Sequence, residues 1–336
     1  HNIRGLIGTP TFAEMRRTIK LVTENTGPWV DAIREINRWL YFDSKEAPDD
    51  VRREMRAYFD TLLPDDPVEL ALVYAHYHAI DFTDPDRLYD PDDRNENDYY
   101  YAHRRSQEIA EIVARNDALL DRALSVFVCT EAPSIYSFAA RLAQRVSDRR
   151  RLFDDALAKL DDTPGNASAG FFAGLIAGID SEDPAAARAC ILEALQAPKL
   201  KADPIRLIGS GRLQPEDLLL VVDLLRAGAV EPRHCVSLAY GRGLNHLTVN
   251  DVTPLLDALE ESGAIGCWVA LDLVSMWLHG GQALEGELIL RLKRILTQST
   301  LFEAVNSSTT DGYHFERSVE MLATIGAVDD RFAAAL

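Results

Sequence analysis

Long apolar runs are missing from this 336-residue chain: no stretch approaches the ~18 consecutive apolar residues that a membrane-spanning helix needs, and no secretory leader opens it. Cysteine is scarce. The four, Cys129, Cys190, Cys235 and Cys267, lie far apart with no C-x-x-C pair, which argues against dithiol and zinc motifs and points to reduced, packed thiols in the cytosol. No Gly-Lys dipeptide occurs, so there is no P-loop, and there is no H-E-x-x-H. Positive charge is in deficit as well: 35 Lys and Arg face 53 Asp and Glu, a net charge of −18. A general attraction to nucleic acid or anionic lipid is therefore unfavourable, although a local basic patch can still grip a phosphate backbone. Strand patterning is absent too: apolar and polar residues never alternate over five or more positions between turn signals.

What is present is helix. Hydrophobic content of 47% with 26% charged residues is globular composition. Helices are predicted over 11–24, 28–42, 48–63 and 67–80. In the second, Trp29, Ile33, Ile36 and Leu40 follow the i, i+4, i+7, i+11 spacing of one buried stripe. Pro28 and Pro48 suit first helical turns, where a missing N–H is harmless. Segment 81–98 interrupts this pattern: acidic residues outnumber arginines there eight to two, and Pro85 and Pro91 block regular structure. Further helices are predicted over 99–115, 118–128, 134–146, 150–160, 169–179, 183–197, 215–226, 249–260, 285–297 and 312–325, with the polar run 306–310 between the last two.

A repeat shows in the second half. Gly209 and Gly211 precede Gly241 and Gly243 by 32 residues, while Asp217 and Asp223 precede Asp251 and Asp257 by 34. Each aspartate pair sits in a short predicted helix, and a two-helix unit of about 30–40 residues is the period of α-solenoids. The glycines fit neither a dinucleotide fingerprint nor a P-loop, and are expected to let neighbouring helices approach closely. The expected fold is all-α, a degenerate HEAT- or TPR-like α-solenoid of stacked antiparallel helix pairs in a right-handed curve. Its expected organisation is an N-terminal helical block over 1–80, an acidic loop over 81–98 and the solenoid over 99–336. The chain opens on His1 without an initiator Met and closes on the apolar run 332–336, where a solenoid would carry a polar cap, so a further C-terminal part is expected.

Several residues are candidates for contact or chemistry. Arg141, Arg145 and Arg149 recur every four positions, making one helical ridge continued by Arg150 and Arg151. Such a ridge suits an acidic partner segment or a phosphate backbone, or serves as internal counter-charge to the acidic loop. Tyr99, Tyr100 and Tyr101 with His103 and Arg104, and Tyr313 and Phe315 with His314, are aromatic clusters that either pack in the core or anchor a partner. Tyr100, His103, Arg104 and Arg242 join the three arginines as partner-binding candidates. His76 and His78 near Asp81 invite a metal, but on a helix residues two apart point about 200° apart. The acidic loop also lacks the glycine of a calcium loop. No metal and no cofactor is expected.

The runs Leu238-Ala239-Tyr240-Gly241-Arg242-Gly243-Leu244-Asn245-His246-Leu247, Ala270-Leu271-Asp272-Leu273-Val274-Ser275-Met276-Trp277-Leu278-His279 and Asp311-Gly312-Tyr313-His314-Phe315-Glu316 resemble the helical-repeat region of large bacterial multidomain proteins. Those proteins carry an effector and a STAND-type or other P-loop NTPase core, and several act in antiphage defence. The resemblance spans 99–325 and rests on structural motifs. It implies a sensor solenoid with the chemistry located elsewhere. The expected function is thus a non-catalytic protein-interaction or ligand-sensing module whose partner is another protein or another domain of the same polypeptide. The alternatives are a hydrolase using His246 or His279 with a nearby Asp between repeats, or a nucleic-acid-binding solenoid using 141–151.

Overall fold

The computed structural model describes residues 9–78, 81–90, 100–240, 243–284, 286–303 and 311–336. All regular structure among them is helical. The chain forms two compact units, His1–Leu200 and Lys201–Leu336.

The first unit contains α1 (Pro10–Thr26), α2 (Val30–Arg38), α3 (Asp49–Leu62), α4 (Pro67–Ala75), α5 (Tyr101–Ala114), α6 (Asp117–Phe127), α7 (Ile135–Arg145), α8 (Arg149–Asp162), α9 (Ala169–Asp180) and α10 (Pro184–Gln196). Side chains cap most of the starts. Asp66, Asn116, Asp148, Ser168 and Asp183 each accept from a backbone N–H of the first turn, a contribution of about 1 kcal/mol apiece. Helices α4, α5, α7 and α9 pack one against the next as a first row, while α6, α8 and α10 form a second row behind them.

The closest approach in this unit is between α7 and α9. A Cβ built on Gly174 falls 2.7 Å from Cβ of Ala139, and one on Gly178 falls 2.7 Å from Cβ of Ala143. Advancing four residues on one helix advances four on the other, so α7 and α9 run in the same direction. The intervening α8, joined by short connections, must run back between them. That alternation of direction is compatible with an α-solenoid. Phe127, Phe138, Phe153, Phe171 and Phe172 fill the space between the rows, with Phe127 and Phe138 centroids 4.8 Å apart. Burying each such ring contributes ~1.5–3 kcal/mol.

The second unit contains α11 (Pro204–Ile208), α12 (Pro215–Arg226), a 3₁₀ helix (Pro232–Ala239), α13 (Val249–Glu261), α14 (Ala264–His279), α15 (Glu287–Leu296), α16 (Asp311–Thr324) and α17 (Asp330–Ala335). Here α11, the 3₁₀ helix, α14 and α16 succeed one another, and α12 packs on α13. Within this unit, ion pairs link α12, α13, α15 and the start of α17: Arg226 to Glu261 at 3.2 Å, Arg291 to Asp257 at 2.6 Å, and Lys293 to Asp329 at 2.6 Å. Of the repeat glycines, Gly209 at the end of α11 would place a Cβ 3.0 Å from Leu238 of the 3₁₀ helix, whereas Gly243 and Leu213, 3.3 Å apart by the same measure, both lie outside helices, and Gly241 is outside the described residues.

Three local expectations change. Trp29 is not part of the buried stripe: it precedes α2 at its N-cap and is 48% exposed, while Ile33, Ile36 and Leu40 are buried. Helix α4 ends at Ala75, so His76 and His78 lie beyond it and the helical-angle argument does not apply to them. Cys235 and His234 lie on a 3₁₀ helix and not on an α-helix. Pro254 lies inside α13, in its second turn. The described part of the acidic segment, 81–90, is also folded against the helices: Phe82 and Thr83 are buried, and Tyr89 N–H donates to the Tyr41 carbonyl at 2.8 Å. The polar run 306–310 and Arg242 lie outside the described residues.

Candidate functional site

Helix α14 is apolar on nearly every face, as a helix enclosed by neighbours must be. Asp272 stands in its middle, 3% exposed. Helix α16, packed alongside, brings Asp311 and His314 to the same place, 9% and 5% exposed. His314 Nε2 and Asp272 Oδ1 are 3.6 Å apart, an ionic contact when His314 is protonated but longer than a normal hydrogen bond. Ser318 Oγ donates to the His314 carbonyl at 2.7 Å, which ties the imidazole's own turn of helix.

Burial disfavours every charge in this cluster. It pushes the Asp272 carboxyl up to about 7, with the nearby Asp311 charge adding to the effect. It pushes the His314 imidazole down, against the pull of Asp311. Near neutral pH the pair therefore consists of a carboxyl that is partly protonated and an imidazole that is neutral. Asp272 Oδ1 and His314 Nδ1 are buried without a hydrogen-bond partner among the described residues, a condition that costs about 1–3 kcal/mol per group.

A pocket of about 190 Å³ opens beside this pair and is lined by His314. Helix α14 contributes Ser275, Met276 and His279, and α16 contributes Tyr313, His314 and Arg317. Leu278 and Met321 complete an apolar side. Tyr313 is 63% exposed, and Arg317 holds Glu320 at 3.3 Å. Among the described residues no group of His, Cys, Asp and Glu is arranged to hold a metal ion. Burial raises Cys190 to about 11, Cys235 to about 12 and Cys267 to about 11, so none of these thiols is a ready nucleophile.

The arginine ridge is knit into the first unit. Arg141 Nε and Arg145 Nε donate to Glu111 Oε1 at 3.0 and 3.1 Å, joining α7 to α5, and the two guanidinium groups hold the Glu111 carboxyl below its ordinary range. Arg149 meets Glu182 at 2.6 Å and donates to the Ala143 carbonyl at 2.9 Å. Arg150 pairs with Asp154 and Glu193, and Arg151 reaches Asp155 at 3.6 Å. The counter-charges are thus carboxylates on α5, α8 and α10 and, for Glu182, in the turn between α9 and α10. On α5, His103 contacts Gln107 at 2.8 Å and burial lowers its pKa, Arg104 is exposed, and Tyr100 just before the helix is 56% exposed. These residues belong to the first unit and the α14–α16 pocket to the second. His246 Nε2 is engaged by the Leu213 carbonyl at 2.6 Å, whereas His279 lines the pocket.

Sequence reading passed over Asp272 as a site residue. A usable signal existed, because it is the one acidic residue inside the 16-residue apolar helix α14. Its pairing with His314 crosses the 304–310 segment and has no sequence signature. Comparison with known proteins brings no match to a family model, a curated protein or a solved structure.

Proposed function

We propose that this chain is a non-catalytic binding module built on stacked helices, with the α14–α16 pocket as the seat for a small ligand. The observation that supports this is His314 in the pocket wall, its Nδ1 buried without a hydrogen-bond partner among the described residues and its Nε2 facing the buried Asp272. A ligand with a hydrogen-bonding head would satisfy that demand and gain the desolvation cost already incurred. Met276 and Met321, unbranched and adaptable, suit a short apolar body behind the head. The likeness of 238–247, 270–279 and 311–316 to bacterial sensor regions extends the proposal. In a larger cytoplasmic defence or signalling protein, an occupied pocket would report to another protein or another domain of the same polypeptide.

A hydrolase-like reading draws on the same groups. Asp272 holding its proton near neutral pH is a chemical general acid, and His279 or His314 a base. Against it, no hydroxyl or thiol hydrogen-bonds to either imidazole among the described residues, so the pair lacks an activated nucleophile.

The test is a thermal-shift and native mass-spectrometry screen of small polar metabolites on the purified chain. A ligand at 100 times its Kd adds about 2.7 kcal/mol of stability, readable as a rise of a few degrees in Tm. The rise is expected to vanish in His314→Gln and in Met321→Trp, which fills the pocket, with circular dichroism unchanged. Binding that persists in both variants places the seat elsewhere and removes this reading. Turnover of the bound compound would replace it with the enzymatic one.

A further inference from the structure

A second cavity, of about 430 Å³ and entirely within the first unit, has a lining that runs against the charge of the chain. Arg52, Arg53, Arg56 and Arg87 face it, opposed by Asp49 and Asp86. Four guanidinium groups against two lining carboxylates, with Asp60 on Arg56 as a third, give the hollow an excess of arginine in a chain whose net charge is −18. Three of the arginines come from α3. Arg52 and Arg56 stand one turn apart, and Arg53 lies beside Arg52. Arg87 comes from the bend 84–88 that closes the opposite wall.

Clustered like charges repel, so this grouping is unfavourable unless an anion sits among them. Part of that role is already filled from within. Arg56 Nε and Nη2 hold the two oxygens of Asp86 at 2.7 and 3.2 Å, the parallel two-bond geometry with which arginine grips a carboxylate or phosphate. Arg56 also pairs with Asp60, and Arg52 with Asp49. Arg53 is exposed and forms no ion pair among the described residues. Leu40, Pro85 and Leu88 give the hollow an apolar wall beside the cations. Its volume lies within the ~300–1,000 Å³ of ordinary small-molecule sites.

We propose that this hollow binds a small phosphorylated metabolite of nucleotide size, its phosphates held by Arg53, Arg87 and the Arg52–Arg56 edge and its organic part laid on Leu40, Pro85 and Leu88. The fork-shaped pairing of Arg56 with Asp86 has the geometry in which arginine grips an oxyanion, filled here by the Asp86 carboxylate. The proposal does not rest on the α14–α16 pocket.

The experiment is isothermal titration of the whole chain with ADP and with pyrophosphate at about 0.15 M salt, where exposed charges are screened beyond ~8 Å. Saturable one-to-one binding of both probes is expected, about tenfold or more weaker in Arg53→Gln and in Arg87→Gln. Arg151→Gln, a change on the exposed face of α8, should leave it unaltered. Asp86→Asn, which frees the Arg56 fork, should tighten pyrophosphate binding. Arg53 forms no hydrogen bond or ion pair among the described residues, so unchanged circular dichroism and Tm of Arg53→Gln would report a native chain in which a lost affinity is a lost contact. Absence of saturable binding, or equal affinity in wild type, Arg53→Gln and Arg87→Gln, overturns the proposal. So does binding of a single-stranded oligonucleotide without ADP or pyrophosphate binding, which would make the surface a nucleic-acid contact.

Discussion

The side chain of Asn37 completes the backbone of Thr83. Its Nδ2 donates to the Thr83 carbonyl at 2.8 Å and its Oδ1 accepts from the Thr83 N–H at 2.9 Å, both groups buried. A single amide on α2 thereby anchors the start of the 81–90 segment, whose later residues wall the arginine-lined hollow. Asn37→Ala leaves two buried backbone groups unsatisfied, at about 1–3 kcal/mol each. A loss of about 2–4 kcal/mol in urea unfolding is expected, with faster amide exchange through 81–90. An unchanged unfolding midpoint would refute the anchoring role.

Gly178 lies where α9 touches α7 most closely. Gly178→Ala gains about 1 kcal/mol of helix propensity, but its Cβ would press on the Ala140 carbonyl and fall 2.7 Å from Cβ of Ala143. Overpacking of this kind costs ~1–3 kcal/mol or more, so net destabilisation is expected on thermal melting. Gly312→Ala is the control. It sits in the first turn of α16 with nothing within 4 Å of the added carbon, and should be neutral or slightly stabilising.

Arg291 is 3% exposed and joins α15 to α13 through Asp257 at 2.6 Å and through Glu260. Removing Arg291 loses its packing and both pairs, but Glu260 keeps Arg294 at 2.8 Å and Asp257 is 46% exposed, so neither carboxylate is left buried alone. Arg291→Ala is expected to cost about 1–3 kcal/mol, less than the ~3–5 kcal/mol of a fully buried pair, and Arg291→Met, which keeps the packing, should recover part of the loss. Chemical denaturation of the two variants side by side decides this.

Asp272 makes stability depend on pH. Its folded pKa, about 7, exceeds the ordinary value of 3.8, so between these values the folded chain keeps a proton that the unfolded chain releases. The stabilising contribution is full below about 3.8, is lost as pH rises, and is gone above about 7. At ~1.4 kcal/mol per pH unit, the swing amounts to about 4 kcal/mol. His314, held neutral by burial, acts with the opposite sign below its ordinary pKa and is common to wild type and Asp272→Asn. The stability difference between those two proteins should therefore move in favour of Asn as pH rises from 5 to 8. A difference independent of pH would show that Asp272 is ionised in the fold.

Thiol labelling offers a simpler check. Cys190, Cys235 and Cys267 are buried and their thiols are held protonated, while Cys129 is partly exposed. Under native conditions a disulfide exchange reagent should modify Cys129 first and the other three only on unfolding.

The helices were legible in the sequence because their signals are local. Asp, Asn, Ser and Thr caps, prolines at first turns and apolar spacing of 3.6 residues act within one or two turns. The predicted spans accordingly agree with the structure to within a residue or two over most of the chain, α12, α13 and α16 among them. Where a local signal was overridden, the cause was tertiary. Helix α4 stops at Ala75, and the next backbone bond of that turn of chain goes to another helix: Ser134 N–H donates to the Ala75 carbonyl at 3.1 Å.

By itself the sequence determined that the protein is all-helical, acidic and without a membrane-crossing segment among the described helices. Only the tertiary structure decided which charges meet. Glu111 neutralises Arg141 and Arg145 across 30 and 34 residues of chain, Asp272 finds His314 across two helices, and four arginines converge on one hollow. The physical reason is range. Helix propensity and capping are settled by neighbours in the chain, whereas burial and ion pairing depend on distances that exist only once the helices have stacked.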